Sequence, residues 1–96
     1  MSAGWVYIMT NRRNGTLHVG VTSDIRLRVT EHKDGLIDGF TRQCGFHQLV
    51  YAERHEDIVS AIQREKNIKH WPRASQVRLI HRDNPKWADL LGSLPS

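Results

Sequence analysis

One cysteine, Cys44, is all that the 96 residues contain. That excludes an internal disulfide and a cysteine-built zinc site. A single thiol fits a reducing compartment, so a cytoplasmic location is the expectation. No apolar run approaches the ~18 residues that a membrane span needs. The segment Met1-Ser2-Ala3-Gly4-Trp5 lacks the charged-then-apolar pattern of a signal peptide. There is no P-loop, no GxGxxG and no HExxH pairing, so neither a nucleotide cradle nor a paired-histidine zinc site is expected. No internal repeat or low-complexity stretch is present. The length allows one domain, residues 1–96, with a frayed tail expected over 92–96. What is there is a globular composition, 39% hydrophobic, and an excess of 14 Lys+Arg over 10 Asp+Glu, giving +4. Such a balance excludes an acidic, solvating chain and suits a nucleic-acid partner.

Asn14-Gly15 stands between Trp5–Thr10 and Thr16–Thr22, two runs rich in β-branched and aromatic residues. That is a hairpin signal. With an even-numbered loop, Tyr7 shares a sheet face with His18, Gly20 and Thr22, because strand side chains alternate. Val6, Ile8, Leu17, Val19 and Val21 form the opposite, aliphatic face and the expected core. A helix follows, with Ser23 as its cap, Asp24 in its first turn and Gly35 as its end. Residues 34–46 predict a loop. Gln48–Ala52 predicts a third strand, and Asp57 caps a second helix to about His70, which Trp71-Pro72 ends. A third helix is expected over Ala74–Arg82. Trp87, Leu90 and Leu91 then pack back on the domain. The elements sum to an α+β fold with antiparallel strands and flanking helices.

Three polar residues break apolar faces. Arg28 and His32 share a stripe with Ile25 and Val29, and Glu65 falls among Ile58, Ala61, Ile62 and Ile68. Buried charge is costly unless paired. One reading is an internal Arg28–Glu65 salt bridge beside a satisfied core histidine. The other is a cleft in which a cation and a carboxylate face a substrate, with Tyr7 and His18 nearby. Phosphodiester hydrolysis suits the second. Arginine can hold a phosphate bidentately, one carboxylate can hold Mg²⁺, and Tyr7 or His18 can take a proton from water. Arg64, Lys66, Lys69 and Arg73 crowd the end of the second helix, either as a solvated face that complements the helix dipole or as phosphate contacts. Arg26 and Lys33, on the first helix, join the candidate nucleic-acid contacts. Trp71 beside them could stack on a base or anchor helix packing.

The order of these segments resembles the GIY-YIG nuclease superfamily, small stand-alone bacterial type, from Trp5 to about Leu90. Trp5-Val6-Tyr7 stands where that family has Gly-Ile-Tyr, and His18-Val19-Gly20 where it has Tyr-Ile-Gly. Gly20–Val29 resembles its second motif, whose arginine falls on Arg28, with His32 one turn later. Ala61–Lys69 resembles its metal-binding helix, whose glutamate falls on Glu65. The resemblance implies a three-stranded antiparallel sheet flanked by helices. It also implies DNA cleavage with one Mg²⁺ (or Mn²⁺) on Glu65, Arg28 on the scissile phosphate, and a motif tyrosine as base or base-positioner. Trp5 and His18 are the two departures.

The expectation is therefore a DNA endonuclease of low sequence specificity, acting on branched, nicked or single-stranded forms. Its catalytic residues would be Tyr7, His18, Arg28, His32 and Glu65. So small a domain has little surface for specificity, which predicts a dimer or a partner protein. The competing readings are a non-catalytic nucleic-acid-binding module and a protein-interaction module that keeps these residues as remnants.

Overall fold

A central strand paired on both edges organises the chain. The computed structural model describes residues 3–34 and 47–94. The expected loop with Gly35, Gly39, Cys44 and Gly45 lies outside the described residues. In order come β1 (Gly4–Thr10), β2 (Leu17–Thr22), α1 (Ile25–Lys33), β3 (Gln48–His55), α2 (Ile58–Lys69), α3 (Arg73–Asp83) and a 3₁₀ turn (Leu91–Ser93). The sheet order is β2-β1-β3, antiparallel throughout.

The hairpin forms in the expected register, with Tyr7 opposite Gly20 and Met9 opposite His18. Its tip closes with the Gly15 amide donating to the Arg12 carbonyl at 2.9 Å. Asn14 takes φ of 59°, a left-handed conformation that asparagine tolerates. β3 runs three residues past the expected Ala52. Glu53, Arg54 and His55 lack an apolar pattern, yet all three pair with β1.

Both faces of the sheet are buried, not only the aliphatic one. Val6, Ile8, Val19, Val50 and Tyr51 pack under α2 and α3 against Ala61, Ile68, Leu79, Ile80 and Trp87. On the other face Tyr7, Met9 and Leu49 pack on Ile25 and Val29 of α1. The face expected to be mixed is thus a second core, because α1 covers it. Ile62, expected on the buried stripe of α2, is exposed.

Asp24, not Ser23, caps α1. Its amide is held by Thr22 Oγ1 at 3.1 Å, which keeps it extended, and its carboxylate accepts from the Leu27 amide at 3.2 Å. Asp57 caps α2 as expected, accepting from the Ser60 amide at 2.8 Å. Contacts reach into the expected frayed tail. Leu91 and Leu94 pack on the second core, and the Leu94 carbonyl accepts from Arg26 at 2.8 Å. Residues 95 and 96 lie outside the described residues.

Candidate active site

Alternation along β1 and β2 places Tyr7, His18 and Gly20 on one face. The Tyr7 ring lies directly over Gly20. A Cβ built there would sit 2.4 Å from both Cζ and the hydroxyl oxygen of Tyr7. Glycine at this rung is therefore a steric requirement of the tyrosine opposite it. Helical spacing on α1 brings His32 to the same place. Its Nε2 is 3.2 Å from the Tyr7 hydroxyl, and the two rings meet nearly edge-on with centroids 5.8 Å apart. The His18 ring completes the group, 5.1 Å from His32 and 6.2 Å from Tyr7.

Arg28 on α1 and Glu65 on α2 both act electrostatically on the phenol. The Arg28 guanidinium lies close enough to the Tyr7 hydroxyl to oppose the rise in its pKa, and the Glu65 charge adds to that rise. The two do not form the internal salt bridge that was one expectation. Among the described residues, Arg28 pairs with Glu31 at 3.5 Å and Glu65 with Lys69 at 3.9 Å. Glu65 is nonetheless well covered, its side chain 13% exposed, whereas that of Arg28 is 42% exposed. The cation is open to an incoming anion, while the carboxylate is more deeply covered. Glu31 was not among the expected site residues, and Lys69 was expected only as a nucleic-acid contact. Both lie one helical turn from a site residue of opposite charge, which is the signal that would have found them.

Burial sets the protonation states. It is the main influence raising the Tyr7 phenol, so the hydroxyl is protonated at neutral pH. Burial also lowers both imidazoles. Lys69 and Arg28 push His18 further down. His18 and Arg28 do the same to His32, which falls to about 4. Neutral rings are the consequence at pH 7. His32 Nδ1 is the one buried side-chain polar atom among the described residues without a hydrogen-bond partner.

These shifts predict how stability responds to acid. The folded His32 binds its proton well below the 6.5 of an unfolded histidine. Between these values the unfolded chain holds more protons, so stability is full above about pH 6.5 and is lost as pH falls toward 4. The burial of His32 makes this a loss on the order of 2–3 kcal/mol. Urea unfolding at a series of pH values should show it, and His32→Gln should flatten the profile in that window.

The six expected nucleic-acid contacts divide. Arg26 holds the Leu94 carbonyl. Lys33 holds the His47 carbonyl and pairs with Asp89. Arg64 donates to Glu53 at 3.1 Å and stacks on Trp71, 5.1 Å from its centroid. Glu53 also accepts from the Tyr51 hydroxyl and pairs with His55, so Arg64 and Trp71 anchor a satisfied polar network. These three cations are engaged in holding the fold. Lys66 and Lys69 stay exposed on α2, and Arg73 donates to the Asn14 carbonyl at 3.0 Å.

A metal would have one carboxylate here. Among the described residues no group of three or more His, Cys, Asp and Glu is arranged to hold an ion. That donor set does not suit a structural zinc. It fits Mg²⁺, which keeps several waters and completes its shell with substrate phosphate.

The hairpin, the capped helices and this group of side chains define a nuclease-type α+β domain. Residues 3–78 match the GIY-YIG catalytic domain, and the chain belongs to that family, whose nucleases act on DNA in general. Within it the chain is similar to small UPF0213 proteins. It is 36% identical over 76 residues to one from Natronomonas pharaonis, covering 79% of this chain and 88% of that one. It is 34% identical over 80 residues to one from Staphylococcus aureus, covering 83% and 96%. The solution NMR structure of a UPF0213 protein from Bacillus halodurans shares the fold, with a TM-score of 0.57 at 24% identity over 91% of this chain and 92% of that one. No helix among the described residues is long and apolar enough to cross a membrane.

Proposed function

We propose that the protein is a Mg²⁺-dependent (or Mn²⁺-dependent) endonuclease that hydrolyses phosphodiester bonds in DNA. The observation that carries this reading is that His32 Nε2 and the Arg28 guanidinium both reach the Tyr7 hydroxyl, whose proton also feels the Glu65 charge. Arg28, half open to solvent, binds the scissile phosphate and offsets the charge that builds on it. Glu65 holds the metal, which when bound polarises the phosphate and stabilises the leaving oxygen.

Tyr7 is the base in this reading. With the His32 tautomer that leaves Nε2 unprotonated, the Tyr7 hydroxyl donates to that nitrogen, and its oxygen takes a proton from the attacking water as its own passes to the imidazole. Protonating a ring with a pKa of about 4 at neutral pH costs about 4 kcal/mol in the free protein. A bound phosphodiester reduces that cost, because its negative charge counters Arg28, one of the groups that hold the imidazole down. His18, third member of the ring cluster, is the competing base.

Kinetics of the two substitutions separate them. Tyr7→Phe should lower kcat by about 10²–10⁴-fold. His18→Tyr, which supplies the family's usual residue, should stay within about tenfold of wild type. The reverse ranking would move the base to His18. Salt-dependent binding without any cleavage would favour the non-catalytic module instead.

A further inference from the structure

We infer that the tip of the β1–β2 hairpin, carrying Arg12 and Arg13 and braced by Arg73, is a backbone-phosphate contact that grips the nucleic-acid strand to one side of the reacting bond. The inference rests on the nucleic-acid reading above and specifies where the substrate is held. Arg12 and Arg13 are both exposed. Among the described residues neither has a carboxylate within ion-pairing distance, while Arg28, Lys33, Arg64, Lys69 and Arg82 each have one. Among the described residues the tip therefore presents two guanidinium groups with no carboxylate partner.

The loop beneath them is built rather than loose. Asn11 Oδ1 accepts from the Thr16 amide at 3.0 Å, and Thr10 Oγ1 donates to the Arg12 carbonyl at 2.7 Å. The Arg12 stem packs so closely over Gly15 that a Cβ there would lie 2.7 Å from its Cγ. Arg73 spans from the start of α3 to the Asn14 carbonyl at 3.0 Å. That bond ties the tip to the end of α2, where Lys66 and Lys69 are exposed. Lys69 in turn acts on His18 in the site. A pre-ordered loop spends little entropy on binding a phosphate chain.

The geometry sets a distance. Thr10 and Leu17 close the ladder, three rungs beyond the Tyr7–Gly20 pair. At ~3.3 Å per residue the tip begins roughly 10 Å from the phenol, or about three to five nucleotides along a strand spaced at ~3.4 Å. The contact is with charge and carries no base reading, so it strengthens binding without adding sequence preference.

The test is fluorescence anisotropy of a labelled DNA duplex across a salt series, in a Glu65→Gln background that binds without cutting. Arg12→Gln/Arg13→Gln should weaken binding and reduce the slope of log affinity against log salt by about 1.8, the loss of two phosphate contacts. Lys86→Gln, an equal loss per charge at an exposed site on the far tail, should leave the slope unchanged. With otherwise wild-type enzyme the double variant should raise KM and leave kcat alone. Shortening one flank of the cleaved bond to fewer than about three nucleotides, and not the other, should abolish the difference between parent and double variant. An unchanged slope in a parent that binds DNA overturns this inference and leaves the nuclease reading intact. A parent that binds no DNA overturns both.

Discussion

Glu65→Gln is expected to lower metal-dependent DNA cleavage by at least about a thousandfold while leaving the fold in place. The substitution keeps the shape and removes only the charge. A metal supplies several kcal/mol of charge stabilisation in the transition state, and each ~1.4 kcal/mol is a factor of ten. Glu65 is the carboxylate on α2 whose charge acts on Tyr7, and no cluster of three or more metal-ligating side chains exists among the described residues to replace it. The fold loses little, since the pair with Lys69 is a long 3.9 Å contact to a largely exposed lysine. The melting temperature should hold within about 3 °C, and DNA affinity should be kept or raised, since a negative charge leaves the site. Chelation should mirror the variant, stopping cleavage with little effect on melting, because an ion held by one carboxylate is not a structural element. Activity equal to wild type in clean preparations would remove Glu65 as the metal ligand.

Trp87→Ala should have the largest effect on stability, a loss of about 3–5 kcal/mol. The side chain is 1% exposed and is the largest of the fully buried ones. It fills the core under α3, its indole N–H donates to His81 Nε2 at 2.8 Å, and its carbonyl accepts from Gln48 at 2.7 Å. Asn84 shapes the turn that delivers it, donating to the Val50 and Ala88 carbonyls at 3.0 and 2.8 Å. A domain of this size has about 5–15 kcal/mol in all, so the melting temperature should fall by about 15 °C or more. Trp87 also lies beyond the 3–78 stretch that matches the family. The tail thus supplies core that the matched region lacks. A shift under about 3 °C in a thermal melt would show that the tail is dispensable.

Local chemistry made much of this fold legible. Asn14-Gly15 and the flanking β-branched residues announced the hairpin, its register, and hence the rung that sets Tyr7 over Gly20. Asp57 and Trp71-Pro72 bounded α2 because caps and prolines act within a few residues. What failed was long-range. The Tyr7 face becomes a second core only when α1 and Leu91 and Leu94 from the far end of the chain close over it. Ser23 and Asp24 are equally good caps in isolation, and the Thr22 hydroxyl decides between them. Arg28 and Glu65 stood out as charges on apolar faces, but pattern alone could not separate a salt bridge from a site. The separate partners that Glu31 and Lys69 provide show only that the two charges do not pair with each other. Arg26, Lys33 and Arg64 looked like free cations because their partners are distant in sequence.

The central claim is that one hydroxyl, acted on by a guanidinium, an imidazole and a carboxylate, marks a working hydrolytic site. Nicking of supercoiled plasmid by wild type, Tyr7→Phe and Arg28→Ala, each with Mg²⁺ and with chelator, tests it most directly. The prediction is metal-dependent nicking by wild type that falls at least about a hundredfold in both variants while their melting curves stay in place. Equal nicking in all three proteins, or no nicking by well-folded wild type on any form of DNA, would contradict it.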